Sequence, residues 1–235
     1  CSWFSLVLCT LGACTSLPDV EPPGQETVAA VLLSGAHGAL SPQQSQTILG
    51  QLRKRSGNTS VLEHHLAREE AIVGSPLTTG NSVKLLQDGP ATYRAMFDAI
   101  AAAKDHINLE TYILEDDEVG QRFAQVLIDK QQRGVQVHII HDSVGSFGTS
   151  PAFFKQLRDS GIRVLEFNPV NPLKSGSAWE LNQRDHRKLL IVDGVTAFLG
   201  GINISSVYSG GSFKKRSPPT KTSADLAWRD TDLQL

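Results

Sequence analysis

Three cysteines are all that this 235-residue chain contains, and they stand at Cys1, Cys9 and Cys14. No disulfide framework can brace the rest of the chain. An excess of either charge is also missing: 22 Lys and Arg stand against 24 Asp and Glu, for a formal net charge of −2. Without a bulk positive field, no nucleic-acid partner is expected. Metal-ligand spacing is missing too. His64 and His65 lie beside Glu63, Glu69 and Glu70 in a helical stretch. Adjacent histidines on a helix point different ways, and no second ligand cluster accompanies them, so neither metal nor cofactor is expected. The one methionine is Met96, not an initiator. What remains is ordinary globular composition, 40% apolar and 20% charged, enough for one sizeable domain or one and a half.

One stretch carries chemistry. Arg184-Asp185-His186-Arg187-Lys188 runs into Leu189-Leu190-Ile191-Val192-Asp193, and six residues later comes Gly200-Gly201-Ile202-Asn203-Ile204-Ser205. The pattern is H-x-K-x4-D followed by G-G-x-N-x-S, and it occurs once. Leu189 to Val192 is an apolar strand run, Asp193-Gly194 a hairpin signal, and Val195 to Leu199 a second run. His186 and Lys188, two residues apart, fall on one face of a strand. Such a kit can hold and cleave a phosphodiester. Lys188, the Asn203 amide and the Ser205 hydroxyl can take the non-bridging oxygens, and Gly201 lets backbone approach a ligand. His186 can attack phosphorus or carry a proton, because an imidazole titrates near working pH. One histidine does not easily serve both sides of an in-line displacement, so two are wanted.

These residues resemble the HKD signature of the phospholipase D superfamily. Ile107 to Ile113 with Glu110, Asp142 to Ser146, and Trp228-Arg229-Asp230-Thr231-Asp232 resemble segments of its bacterial cardiolipin synthase branch. The resemblance covers about residues 80 to 235. It implies His186, Lys188 and Asp193 as the catalytic signature, with Asp193 mainly orienting and structural. It implies Lys188, Asn203, Ser205 and Gly201 at the phosphate, and Asp230 as the carboxylate on the catalytic histidine, with Glu110 as a further supporting carboxylate. It also implies that two HKD halves meet at one site, with a phosphohistidine on one histidine and acid–base work by the other, without metal. The second half is expected from a further part of a longer polypeptide, this chain being an N-terminal fragment; the alternative is a homodimer partner. The implied activity is transfer of a phosphatidyl group from phosphatidylglycerol to an alcohol. The alternatives are hydrolysis by a phospholipase or nuclease of the superfamily, and a non-catalytic lipid-binding lipoprotein.

The organisation follows from composition. Residues 1–13 are uncharged and apolar from Trp3 to Leu11, too short to span a bilayer and shaped like a signal-peptide core that lacks its start. Leu11-Gly12-Ala13-Cys14 resembles a bacterial lipobox, which implies lipidation of Cys14 and an envelope location on a membrane. Residues 14–30 read as a tether and 31–80 as a helical prelude, with helices from Ser41-Pro42 to Leu52 and over 58–73. Residues 81–235 alternate strand and helix. This predicts an α/β fold with a mainly parallel or mixed sheet between helices on both faces, and ligands at the carboxyl ends of its strands. The Gly-, Ser- and Lys-rich stretch 209–223, with Lys214-Lys215-Arg216, reads as a loop that can meet anionic headgroups.

Overall fold

A computed structural model describes residues 33–56, 74–170, 182–210 and 228–235, with isolated positions between 65 and 72. The expected signal, the tether, most of the second prelude helix and the basic stretch at 214–216 lie outside the described residues. The chain divides into two compact units, Cys1–Gly80 and Asn81–Leu235.

In the first unit, the expected wholly helical prelude needs correction. Helix α1 (Pro42–Ser56) is present, with Ser41 and Gln44 bonded reciprocally at its start, as a capping box is. Beside it, however, β1 (Leu33–Gly35), β2 (Gly38–Ala39) and β3 (Leu77–Thr78) form a small sheet. Gly38, at φ +110°, turns β1 back onto β2. Leu33, Leu49 and Leu66 make the small buried cluster that such short strands need.

The second unit is built on seven strands: β4 (Lys84–Leu86), β5 (His106–Thr111), β6 (Gln136–Asp142), β7 (Arg163–Phe167), β8 (Leu189–Val192), β9 (Thr196–Gly200) and β10 (Asp232–Gln234). Their order is β4-β10-β9-β8-β5-β6-β7. β5, β6 and β7 are parallel, and every other pairing is antiparallel, so the sheet is mixed. Helices α2 (Gly89–Ala102), α3 (Glu118–Gln132) and α4 (Pro151–Asp159) connect β4 to β5 to β6 to β7. Asp88, Asp117 and Ser150 cap their N-termini with side-chain oxygens. Gly134 and Gly161, each at φ +92°, release the chain after α3 and α4.

The three crossovers advance in one direction along the sheet. Right-handed connection therefore sets all three helices on the same face, which corrects the expected helices on both faces for the described residues. Their apolar sides and Ile107, Leu109, Ile139, Leu190 and Phe198 form one core. On the other face one register row runs Leu85–Leu233–Leu199–Leu189–Glu110–Ile140–Leu165. Among the described residues, Leu85, Leu199 and Leu165 of that row are exposed.

Candidate functional site

The strand directions bring the signature together at one sheet end. The carboxyl ends of β5, β6 and β9 meet there with the amino ends of β8 and β10, so His186, Lys188, Gly200, Gly201 and Asp230 all arrive at the same edge. His186 is exposed, its ring tilted against Tyr112 with centroids 4.7 Å apart. Lys188 is buried. Its ammonium donates to the His186 carbonyl at 2.6 Å and lies 5.3 Å from the centre of the Tyr112 ring. Burial holds the Lys188 pKa below its usual value, against the pull of Asp230, Asp185 and Asp232.

Glycine makes room for two of those carboxylates. Extending the ladder by one step sets Lys188 opposite Gly200, and Gly200 pairs with Asp232. A Cβ on Gly200 would come within 2.1 Å of Asp232 Oδ1. A Cβ on Gly201 would come within 2.1 Å of Asp230 Oδ2. Asp230 is exposed, whereas Asp232 is 1% exposed. Asp232 Oδ1 accepts the Ile202 N–H at 3.1 Å, and Oδ2 is buried without a hydrogen-bond partner.

Several expected ligands do other work. Asp193 does structural work. It lies past the far end of β8, about 16 Å of strand away from Lys188, and accepts the Lys104, Asp105 and His106 N–H groups. It pins the β8–β9 turn to the start of β5. Ser205 is likewise not open to a phosphate. It is fully buried, donates to Glu115 and caps the short 3₁₀ turn Ser206–Tyr208. Asn203 is 2% exposed; its Oδ1 accepts the Ile113 N–H and its Nδ2 donates to the Tyr208 hydroxyl. In this conformation it is a strut between the segment after β5 and the segment after β9. The Gly201 amide donates to the Thr231 carbonyl and is not offered to a ligand. Glu110 is near the site but faces Arg187, at 2.7 Å, rather than His186. Arg187 also bonds Asp185, and burial together with the neighbouring Asp185 raises the Glu110 pKa.

Two further residues, Asp142 and Gly145, hold this arrangement. Asp142 accepts the Asp185 N–H at 3.0 Å and so fixes the entry to His186. It also accepts the Val144 and Gly145 N–H groups. Gly145 packs against the Tyr112 carbonyl, where a Cβ would come within 2.1 Å. Asp232 and Tyr112 both lie in the segments that resemble the cardiolipin synthase branch, but neither is among the site residues that the resemblance implies. His141 stacks on Phe154 at 4.0 Å, and burial lowers its pKa, which marks it as structural. A cavity of about 330 Å³ lies between α2 and α3, lined by residues including Arg94, Phe97 and Arg122. It includes none of the signature side chains. Among the described residues, no group of three or more His, Cys, Asp or Glu is placed to hold a metal ion. No described helix is long and apolar enough to cross a membrane.

Comparison with known proteins accords with this geometry. The family described as "Cardiolipin synthase, PLD-like domain" matches residues 96–209, from α2 through the Asn203 segment. This part of the chain belongs to the phospholipase D superfamily. A cardiolipin synthase of Alkalihalophilus pseudofirmus is 34% identical over 189 residues, which are 79% of this chain and 34% of that protein. Cardiolipin synthase A of Pseudomonas fluorescens is 33% identical over 162 residues, 68% of this chain and 31% of that protein. The chain thus spans about a third of the length of the curated relatives it matches. Among solved structures, phosphatidylserine synthase of Haemophilus influenzae superposes with a TM-score of 0.47 at 19% identity, over 65% of this chain and 32% of that one. Nuc of Salmonella typhimurium gives 0.44 at 20%, over 65% and 81%.

Proposed function

We propose that this chain carries one half of a cardiolipin synthase-like phosphatidyltransferase, with phosphatidylglycerol as donor. The observation that supports it most is the exposed His186 beside the Lys188 ammonium and Tyr112 at the strand ends, in a domain similar to cardiolipin synthases. The imidazole lone pair attacks phosphorus, the bond to the departing glycerol oxygen breaks, and a phosphohistidine forms. A second histidine, from the other HKD half, gives that oxygen its proton. It then takes a proton from the acceptor hydroxyl, whose oxygen attacks phosphorus and releases His186. Lys188 offsets the anionic charge of the phosphoryl group. Asp230 steadies the charged imidazole, the role the resemblance implies for it. Asn203 and Ser205 act from behind, keeping the two loops in register. The second half comes from a further part of a longer polypeptide, or from a homodimer partner.

Location belongs to the same reading. Lipidation of Cys14 tethers the domain to a bacterial envelope membrane through residues 14–30, and replacing Cys14 with Ser would release it from the membrane fraction. The activity test supplies phosphatidylglycerol to the protein with both HKD halves in place and resolves the products. Cardiolipin plus glycerol supports the transferase. Phosphatidic acid shows a hydrolase instead, and no turnover leaves a lipid-binding lipoprotein. Normal turnover by His186→Ala would overturn the mechanism.

A further inference from the structure

The site end of the sheet carries more bare apolar surface than its chemistry uses. Phe147 is 79% exposed and Trp228 is 56% exposed. Val144 and Val207 stand beside them, each more than a third exposed. Phe147 belongs to the loop after β6, and Trp228 leads into β10. Between those strands lie β9, β8 and β5, so the two rings flank the His186 centre across four strand spacings, about 19 Å.

Neither ring is a loose end. In the Phe147 loop, Asp142 takes the Val144 and Gly145 amides, Ser146 Oγ accepts the Leu114 N–H and Thr149 donates to the Leu114 carbonyl. The Phe147 amide itself bonds the Val144 carbonyl. A loop with its polar backbone satisfied this way holds Phe147 out by design of its geometry. Trp228 donates its amide to the Val207 carbonyl and sets its ring edge-on to Tyr208, 5.8 Å between centroids. Tyr208 in turn accepts from Asn203.

We propose that this end of the sheet is a membrane-docking rim, in which Phe147 and Trp228 enter the lipid interface on either side of His186. The proposal rests on the reading that the substrate is a phospholipid. A protein partner would favour an apolar centre with a polar margin. Here the order is reversed: His186, Arg187, Lys188 and Asp230 hold the middle, and the aromatic side chains stand at the periphery. That arrangement suits a surface whose phosphates lie above its hydrocarbon. A headgroup phosphate can then meet His186 while its acyl chains stay in the bilayer. Aromatic rings, tryptophan above all, favour that boundary.

The test uses the whole 235-residue chain with Cys1, Cys9 and Cys14 replaced by Ser, so that a thiol-reactive, environment-sensitive fluorophore reports one place only. Phe147→Cys and Trp228→Cys carry it at the rim. Val195→Cys carries it at the turn between β8 and β9, at the opposite end of the sheet, where Val195 is 83% exposed. On adding phosphatidylglycerol vesicles, emission at 147 and 228 shifts to the blue and iodide quenching falls severalfold, while the label at 195 changes in neither. Equal changes at all three positions, or none at the rim, overturn the proposal. Protection at 147 that grows with protein concentration in the absence of vesicles also overturns it, since a second copy is then the partner. The labels need no turnover. With the second HKD half supplied to the labelled chain, conversion of phosphatidylglycerol in vesicles while the label at 147 stays in water means that the rim fails and the phosphatidyltransferase stands; insertion without conversion under those conditions gives the opposite result.

Discussion

Asp232 shows how one buried carboxyl couples the site to stability. Its pKa is pushed up to about 6, by burial first, with Asp230 adding to the rise and the Ile202 and Gly201 amides and Lys188 opposing it. The fold therefore keeps this proton to higher pH than the unfolded chain, whose aspartate titrates near 4. The side chain's contribution is present in full below about pH 4 and is lost as pH rises through about 6, a change on the order of 3 kcal/mol. Asp232→Asn, which keeps an acceptor for Ile202, should remove this loss. Urea midpoints at pH 5 and pH 8 should then differ less in the variant than in the parent protein, and identical pH slopes would refute the account. Asp193 has the opposite sign. The Asp105, Lys104 and His106 amides hold its carboxyl below the usual carboxylate range, so its stabilisation is present above about pH 4 and lost as pH falls. Asp193→Ala should lower the urea midpoint at pH 7 and leave that at pH 2 to 3 nearly unchanged. In the same variant the rate constant of the chemical step should stay close to normal, whereas His186→Ala should abolish it without lowering the midpoint.

Among the elements, the loop after β6 is the one whose backbone most directly supports the signature. Gly145 is there because the Tyr112 carbonyl occupies the space of a Cβ, and a backbone carbonyl cannot swing aside as a flexible side chain can. Gly145→Ala should destabilise the protein by about 1–3 kcal/mol and lower turnover, because Tyr112 would shift from the His186 ring. Gly148, in the same loop, has nothing within 4 Å of a built Cβ. Gly148→Ala should leave both quantities unchanged, which separates crowding at Tyr112 from a general stiffening of the loop. Thermal melts and product assays on the two variants decide it.

For the molecule as a whole, the described site offers one histidine at the reacting edge, and the chemistry asks for two. The 235-residue chain alone should not turn over phosphatidylglycerol, and activity should appear when the second HKD half is supplied. A single-turnover assay with radiolabelled lipid reads both results. Sustained turnover by the chain alone at nanomolar concentration would show that one half suffices.

Much of this was legible beforehand, for local reasons. Asp193-Gly194, with φ of +53° and +66°, is the tight hairpin that its residues suggested. The H-x-K spacing and the paired glycines named the chemistry, because residue types and short separations suffice to specify a nucleophile beside a cation. What only the tertiary structure decided was which polar groups remain open to a ligand. Asn203, Ser205 and the Gly201 amide are consumed by Ile113, Tyr208, Glu115 and Thr231, all of them distant in sequence except Tyr208. Asp232 is buried and Asp230 exposed although they are two residues apart, because Asp232 lies inside the ladder between Leu86 and Gly200 while Asp230 precedes β10. A single sequence carries the identity of such groups but not their partners, since a hydrogen bond between distant segments leaves no local pattern to read.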